Sequence, residues 1–223
     1  MRGLYAIVDV ATLAARHIDL LGFAAAVLVA RPAALQLRAK GLEAREVLAL
    51  LRALAPMCHN AKVPLVANDR ADLAMLAGSD MVHVGQDDIA IGLVRRLAPT
   101  LGVGVSTHSL VELAVALDTR PSYVAFGPVF GTTTKSDASP VVGVALLREA
   151  YAMASARGTP LVAIGGVTLE RVDELEGCID AAAVISGLLP PIDHPADLRE
   201  VTSRAVALND ALSRSVAPRG AVA

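Results

Sequence analysis

Short apolar runs alternate with longer amphipathic segments along the chain. The short runs are rich in β-branched residues, which is typical of buried strands, and the longer segments repeat apolar residues at helical spacing. The predicted strands span residues 4–9, 35–40, 64–68, 81–85, 102–106, 123–127, 161–164 and 182–186. The predicted helices span residues 20–30, 43–58, 71–77, 91–97, 110–117, 144–157, 169–176 and about 196–212. The pattern therefore predicts eight successive βα units.

Strands that alternate with helices form a parallel sheet, and eight such units within 223 residues predict a single (β/α)8 TIM barrel. An open sheet with a dinucleotide site more often carries a G-x-G-x-x-G motif after its first strand, whereas this chain has DVATLAAR there. We expect one barrel domain at residues 1–212 and a disordered tail at residues 213–223, where the periodicity stops.

Composition argues against several classes of protein. Hydrophobic residues make up 54% of the chain, but the longest apolar runs, 20–30 and 181–192, are shorter than the ~20 residues of a spanning helix. Asp9 interrupts the N-terminal apolar stretch, so a signal peptide is not expected. A net charge of −2 and an aromatic content of 3% argue against nucleic-acid binding. Two cysteines predict no disulfide framework, and we expect a cytoplasmic protein, with a homo-oligomer left open.

The second predicted strand, ALQLRAK, carries a polar residue at every second position. Alternate residues of a strand share one face, so Gln36, Arg38 and Lys40 are expected to line the inner wall of the barrel toward its mouth. The apolar residues between them then pack outward against helices. Two cations in a partly dry site need anions nearby, and these are either ligand phosphates or carboxylates of a neighbouring strand.

Carboxylates follow the third and fourth predicted strands. Asp69 ends the sequence VAND, and Asp88 ends the sequence HVGQDD. Because these strands are adjacent, the two carboxylates are expected to meet at the mouth, with Asn68 and Gln86 nearby. Such an oxygen-rich site suits Mg²⁺, which usually takes one or two carboxylates together with waters and substrate phosphates. The alternative is that each aspartate only caps the helix that follows it.

Glycines follow the last two predicted strands, at the usual phosphate-binding position of these barrels. The sequences are Gly165-Gly166 and Ile185-Ser186-Gly187. The hydroxyl-rich loop GTTTKSDASP after the sixth strand is either a solvated loop or a lid that brings a lysine over a phosphate. His83 is expected to be a hydrogen-bonded core histidine. Neither it nor His108 has an evident nucleophile and acid partner, so triad chemistry is not supported.

These motifs, taken in order, resemble the thiamine phosphate synthase (thiamine-phosphate pyrophosphorylase) family. They are LYAIVD, QLRAK, VANDRADLA, VHVGQDD, GVSTHS, YVAFGPVFGTTTK, VAIGGV and AVISG, and they span residues 4–189. The resemblance implies a (β/α)8 barrel that uses Mg²⁺. It also implies that 4-amino-5-hydroxymethyl-2-methylpyrimidine diphosphate is joined to a thiazole phosphate, which gives thiamine phosphate and pyrophosphate.

The resemblance further implies roles for individual residues. Mg²⁺ would be bound by Asp69 and Asp88. The pyrimidine diphosphate would be held by Gln36, Arg38, Lys40, Asn68, Ser106 and Lys135. The catalytic residues among these would be Arg38, Lys40, Ser106 and Lys135, which act on the leaving diphosphate. The thiazole phosphate would be contacted by Thr132, Thr134, Gly166, Ile185 and Ser186. The chain departs from the family pattern at Ala39, usually acidic and here expected to face outward, and at Gly131, usually proline, which should loosen the lid loop.

Three other functions are alternatives to this interpretation. The related thiazole tautomerase has the same barrel, but it tends to lack the second metal carboxylate and the Thr/Lys set that this chain has at Asp88 and TTTK. A non-catalytic barrel that only binds a thiazole or thiamine phosphate would need no Mg²⁺-dependent turnover. A phosphosugar isomerase or aldolase would need a carboxylate base or a Schiff-base lysine at a strand end, and a pair of acidic metal ligands does not fit that role well.

Overall fold

In the computed structural model, the predicted barrel is closed and has eight parallel strands. The structure describes residues 1–131, 140–191 and 197–216. The strands are β1 (Gly3–Asp9), β2 (Ala34–Arg38), β3 (Leu65–Asn68), β4 (Met81–Val84), β5 (Gly102–Thr107), β6 (Tyr123–Phe126), β7 (Leu161–Ile164) and β8 (Ala181–Val184). Each strand pairs with its neighbours in the sequence, and β8 pairs with β1. The prediction of a single (β/α)8 barrel is confirmed, and no predicted strand end is wrong by more than two residues.

The helices surround the barrel. They are α1 (Val10–Ala15), α2 (Leu20–Leu28), α3 (Ala44–Ala61), α4 (Ala71–Ala77), α5 (Ile91–Leu97), α6 (Leu110–Asp118), α7 (Gly143–Ala156) and α8 (Leu198–Ser215). The segment after β7, predicted as an α-helix, is a 3₁₀ helix at Leu169–Leu175, and a short 3₁₀ turn at Ser186–Leu188 follows β8.

Two expectations about the ends of elements need correction. Helix α1 was not predicted, because it begins directly after β1 without a turn signal, with Asp9 as its N-cap. Helix α8 continues to Ser215, three residues beyond the predicted domain boundary at Leu212, and the Ser215 side chain is buried. The remainder of the expected tail, 217–223, lies outside the described residues.

Two apolar layers form the core. The larger layer fills the space between strands and helices, and it contains the outward-facing Leu35 and Leu37, with Ala39 packed against it as expected. The smaller layer lies inside the barrel and includes Tyr5, Ile7, Val66, Tyr123 and Val162. The barrel is therefore a packed core whose polar groups lie above and among these inner side chains.

At the amino-terminal end of the barrel, side chains bind backbone amides of neighbouring strands. Asp80 accepts the N–H of Leu65 at 2.8 Å, and Asp180 accepts the N–H of Leu161 at 2.9 Å. Each aspartate directly precedes one strand and caps the start of the preceding strand. These carboxylates satisfy amides that the barrel ladder leaves unpaired, which stabilises the closed sheet. Within the described residues, no helix has the length and apolar character needed to cross a membrane.

Candidate active site at the carboxyl ends of the strands

A cavity of about 630 Å³ opens at the carboxyl ends of the strands. Its walls include Gln36, Arg38 and Lys40 from β2 and the turn after it, which confirms that these three side chains share the inner face. The neighbouring walls carry polar groups that lie near or after the carboxyl ends of the next three strands, namely Asn68, Asp69, Gln86, Asp88 and Ser106. The polar residues predicted at the strand ends are thus brought together in one cavity.

Arg38 makes an ion pair with the carboxylate of Asp9 on the adjacent strand β1. Burial alone would raise the pKa of Asp9, but hydrogen bonds from Thr12 and Arg38 outweigh it and leave the pKa below the ordinary 3.8. Of the two anions expected beside these cations, a carboxylate of a neighbouring strand is the one that pairs with Arg38. A guanidinium carries five N–H donors, so this pair fixes the side chain while leaving it able to bind an anion.

Sequence reasoning did not assign Asp9 to the site. The signal was present, because Asp9 ends the first strand and lies in register with Arg38 across the β1–β2 pair. An acidic residue that ends one strand and a basic residue that ends the next are expected to meet in a parallel pair.

Asp69 follows β3 with a left-handed backbone, φ 62°, and its N–H donates to the carbonyl of His83 at 2.8 Å. Lys40 Nζ lies 3.9 Å from Asp69 Oδ2. Burial, and then the hydrogen bond and negative charge of Asp88, raise the pKa of Asp69 to about 6, although Lys40 and Arg38 oppose the shift. The expected meeting of the two carboxylates at the mouth is confirmed.

The capping alternative for these two aspartates is wrong. The N-caps of α4 and α5 are Arg70 and Ala90, and neither helix start has a side-chain cap bond. Asp88 instead accepts the backbone N–H of Gly85 at 2.7 Å, which holds its carboxylate beside the mouth. The two carboxylates are therefore free of helix-capping roles.

The carboxylate pair fits a divalent cation. The pKa of Asp69 is raised by burial and by Asp88 even though Lys40 and Arg38 lie near enough to oppose the shift, so these cations do not balance the pair, and a hard cation with oxygen ligands would do so. Among the described residues no group of three or more His, Cys, Asp or Glu side chains is arranged as a metal site. A pair of carboxylates is the set that Mg²⁺ uses when waters and substrate phosphates complete its coordination.

Six polar side chains form a continuous hydrogen-bonded chain across the floor of the cavity. In order they are Asn68, Gln36, Tyr5, Tyr123, His83 and Ser106, with successive contacts of 2.7, 2.6, 2.7, 2.9 and 2.7 Å. The expectation of a hydrogen-bonded core histidine at position 83 is confirmed. Sequence reasoning missed Tyr5 and Tyr123, although both are polar-tipped residues at inward positions of their strands.

The glycines after β7 lie where side chains would collide. Gly165 and Gly166 have φ of 98° and 65°, and a Cβ on Gly166 would lie 2.5 Å from the carbonyl oxygen of Gly131. Ile185 and Ser186 follow β8, beside this corner in the closed barrel. The arrangement leaves backbone rather than side chains at the predicted phosphate position. Thr132, Thr134 and Lys135 lie outside the described residues.

Fold and site together define a barrel enzyme whose mouth combines Lys40 and an arginine held by Asp9 with a carboxylate pair. A family model described as thiamine monophosphate synthase matches residues 4–188. The chain belongs to this family, as the motif resemblance indicated.

Individual relatives agree with the family match. A thiamine-phosphate synthase of Herpetosiphon aurantiacus is 38% identical over 187 residues, which are 83% of this chain and 88% of the relative. One from Lysinibacillus sphaericus is 41% identical over 157 residues, 69% of this chain and 73% of the relative. The solved structure of a thiamine phosphate pyrophosphorylase from Pyrococcus furiosus has a TM-score of 0.79 and 26% identity, and the match covers 94% of this chain and 95% of that chain.

Proposed function

We propose that this chain joins 4-amino-5-hydroxymethyl-2-methylpyrimidine diphosphate to a thiazole phosphate and releases thiamine phosphate and pyrophosphate. Family membership supports a transferase of thiamine biosynthesis. The observation that carries the proposal is the single cavity that Arg38 and Lys40 line together with Asp69 and Asp88, with Lys40 beside Asp69. Cations and a metal-ligating pair in one cavity match a ligand that carries a diphosphate.

The demanding step is departure of pyrophosphate from the pyrimidine methylene. The thiazole nitrogen that attacks carries no proton, so no general base is needed, and the pyrimidine amino group can supply electrons to the cation that forms. Arg38 and Lys40 stabilise the negative charge that develops on the leaving group. The ion pair with Asp9 holds the Arg38 guanidinium in place before the reaction, so little reorganisation is required.

Asp69 and Asp88 are the residues that would hold Mg²⁺. When bound, this ion would supply Lewis-acid stabilisation of the diphosphate oxygens. Asp69 reaches the mouth because its backbone is anchored to His83, and Asp88 because its carboxylate is anchored to the Gly85 amide. Lys40, beside Asp69, lies within reach of both the carboxylate pair and an incoming phosphate.

The thiazole phosphate is proposed to bind at the backbone corner formed by Gly166, Ile185 and Ser186. Support comes from its position after the last two strands, which is the usual phosphate position of the fold. Lys135 and the two threonines Thr132 and Thr134 keep the roles that the family resemblance gives them. We infer a cytoplasmic location from the small-molecule chemistry and the cysteine content.

One incubation tests the proposed function. Purified protein is mixed with both substrates and Mg²⁺, and thiamine phosphate and pyrophosphate are measured by chromatography. We expect equimolar formation of the two products, complete loss on addition of a chelator, and recovery on addition of excess Mg²⁺, because the diphosphate leaves poorly without charge neutralisation.

The rival functions give different results in the same experiment. A tautomerase would interconvert thiazole isomers when the pyrimidine diphosphate is omitted. A binding protein would show a thermal shift with thiazole phosphate but form no product. Folded protein without turnover would contradict the proposed activity, and turnover that resists the chelator would contradict the metal assignment.

A further inference from the structure

Arg16 ties helix α1 to the loop that leaves the backbone corner proposed for the thiazole phosphate. Its Nη2 lies 3.1 Å from the carbonyl oxygen of Pro190 and 3.0 Å from that of Pro191. A guanidinium nitrogen only donates and a carbonyl oxygen only accepts, so the direction of both hydrogen bonds is fixed by the chemistry of the groups. The two hydrogens of Nη2 match the two carbonyls, and they join segments that lie 174 residues apart in the chain.

The loop that Arg16 holds is the direct continuation of this corner. Ser186 begins the short 3₁₀ turn after β8, and the N–H of Leu189 donates back to the carbonyl of Ser186 at 3.0 Å. Pro190 and Pro191 follow at once, and each proline fixes its own backbone φ angle. A shift of the two held carbonyls would therefore be passed to Ser186 through a short and stiff segment.

A second cavity, of about 390 Å³, lies behind the corner. Its walls come from the end of α1, the 3₁₀ helix after β7, the turn after β8 and α8. Ser186 and Gly187 line it, and so does Arg16. On this side the corner backbone faces open space instead of the close packing that holds most of the barrel. The buried Leu188 and Leu189 anchor the turn itself, and the hydrogen bonds from Arg16 hold the segment that follows.

Helix α1 in turn fixes the position of Arg16. The helix is six residues long, and Arg16 is its C-cap, with its N–H donated to the carbonyl of Leu13 at 3.1 Å. Leu13 is buried in the outer apolar layer. At the other end of the helix, the N-cap Asp9 is bound by Thr12 and Arg38. Both ends of the helix are therefore attached to the barrel, and the guanidinium reaches the loop from a fixed base.

We propose that Arg16 is a positioning residue that holds the thiazole phosphate corner in its binding conformation through the backbone, without touching the phosphate. The inference rests on the proposed function for the identity of the ligand. Both hydrogens of Nη2 are committed to carbonyl oxygens, so this nitrogen acts on the corner through the loop. A loop that is already ordered lowers the entropy cost of binding. The pyrimidine diphosphate is proposed to bind residues of other strands, so its affinity should not depend on Arg16.

Steady-state kinetics of three variants test the role in binding. Arg16→Met keeps an apolar stem and removes both hydrogen bonds, Arg16→Lys keeps a group that can donate, and Arg45→Met, at an exposed position on α3, is the matched control. We expect Arg16→Met to raise KM for the thiazole phosphate about tenfold, the effect of one or two hydrogen bonds. KM for the pyrimidine diphosphate should stay within about twofold. Arg16→Lys should be intermediate, and the control should match the wild type.

Amide hydrogen exchange of the ligand-free proteins measures the loop directly. The amides of Leu188 and Leu189 donate to carbonyls within the turn, so their exchange reports how often the turn opens. We expect faster exchange at these two amides in Arg16→Met and unchanged exchange in β3 and β4. The wild type and the two Arg16 variants should fall in the same order in exchange and in KM for the thiazole phosphate, because both quantities depend on the same loop.

Three results would overturn the inference. Unchanged exchange in Arg16→Met would show that the loop is held without Arg16, and equal rises in both KM values would show a general structural role. A raised KM for the thiazole phosphate with unchanged exchange would indicate that Arg16 contacts the phosphate itself. The exchange experiment needs no substrate, so a loop loosened in Arg16→Met, in a protein without turnover, would reject the proposed function and retain the hold of Arg16 on the loop.

Discussion

The two ends of the barrel use the same residue type in opposite ways. At the amino-terminal end, Asp80 and Asp180 each accept a backbone amide of a neighbouring strand. At the carboxyl end, Asp69 and Asp88 line the same cavity, and the pKa of Asp69 rises to about 6 through burial and the nearby Asp88. The carboxylates at the amino-terminal end bind the sheet itself, whereas Asp88, although the Gly85 amide holds it, still faces Asp69, and such a pair calls for a cation.

Asp9 shows that position along a strand alone does not decide between the two uses. It lies at the carboxyl end of β1, but it has fixed partners in Arg38 and Thr12, and its side chain is 3% exposed. The partners of a carboxylate therefore predict its role better than the end of the barrel at which it stands.

The largest expected effect is the loss of catalytic rate in the Asp88→Asn variant. We expect a loss of rate on the order of 10²–10³-fold, because one charge is removed from the proposed metal ligands. Unfolding free energy measured in chelator should be unchanged or slightly higher, because the substitution relieves repulsion with Asp69. Steady-state kinetics and urea denaturation measure the two quantities. Asp118→Asn, an exposed surface change, is the control. Wild-type rates in Asp88→Asn would refute the metal assignment.

The next largest effect is the loss of stability in the Asp180→Ala variant, at the amino-terminal end of the barrel. This change leaves the buried N–H of Leu161 without its side-chain acceptor, which should cost about 1–3 kcal/mol of unfolding free energy. Asp80→Ala should cost less, because Asp80 is exposed and water can replace it. Both should keep wild-type kcat/KM in the thiamine phosphate assay. An activity loss at unchanged urea midpoint would contradict the contrast between the two ends.

The smallest expected effect is on the acid dependence of stability, and it comes from the Asp9 carboxylate. Its pKa is below the ordinary 3.8 in the folded protein, so it contributes stability that is fully present above that value and is lost as the pH falls below it. Asp9→Asn should therefore flatten the fall of stability below about pH 4. Urea denaturation across pH 2.5–6, at roughly half-unit steps, measures the slope. An identical acid profile for wild type and Asp9→Asn would show that Asp9 behaves like an exposed carboxylate.

Most of the fold was predictable from the sequence because periodicity reports which face of an element is buried. The β2 pattern placed Gln36 and Arg38 inward and Leu35 and Leu37 outward, as the structure has them. Helix α1 was missed because six residues directly after a strand offer too short a repeat to detect. The 3₁₀ form of Leu169–Leu175 is set by tertiary packing, which local spacing does not encode.

The site was predictable as a set of residues but not as a network. Strand ends place Asp69 and Asp88 at one mouth, so their meeting follows from topology. The hydrogen-bonded chain through Tyr5 and Tyr123 depends on how inner side chains from six strands, β1 to β6, pack across the barrel, and the sequence of a single strand does not indicate it. The pairing of Asp9 with Arg38 required the register between strands as well as their order.

The left-handed backbone at Asp69 limits which residues can replace it during evolution. Glycine and asparagine tolerate that conformation at least as well as aspartate does, while β-branched or bulky residues are disfavoured. Asparagine is also a single nucleotide change from aspartate. One point mutation can therefore remove a carboxylate of the proposed metal pair while the turn after β3 keeps its backbone conformation.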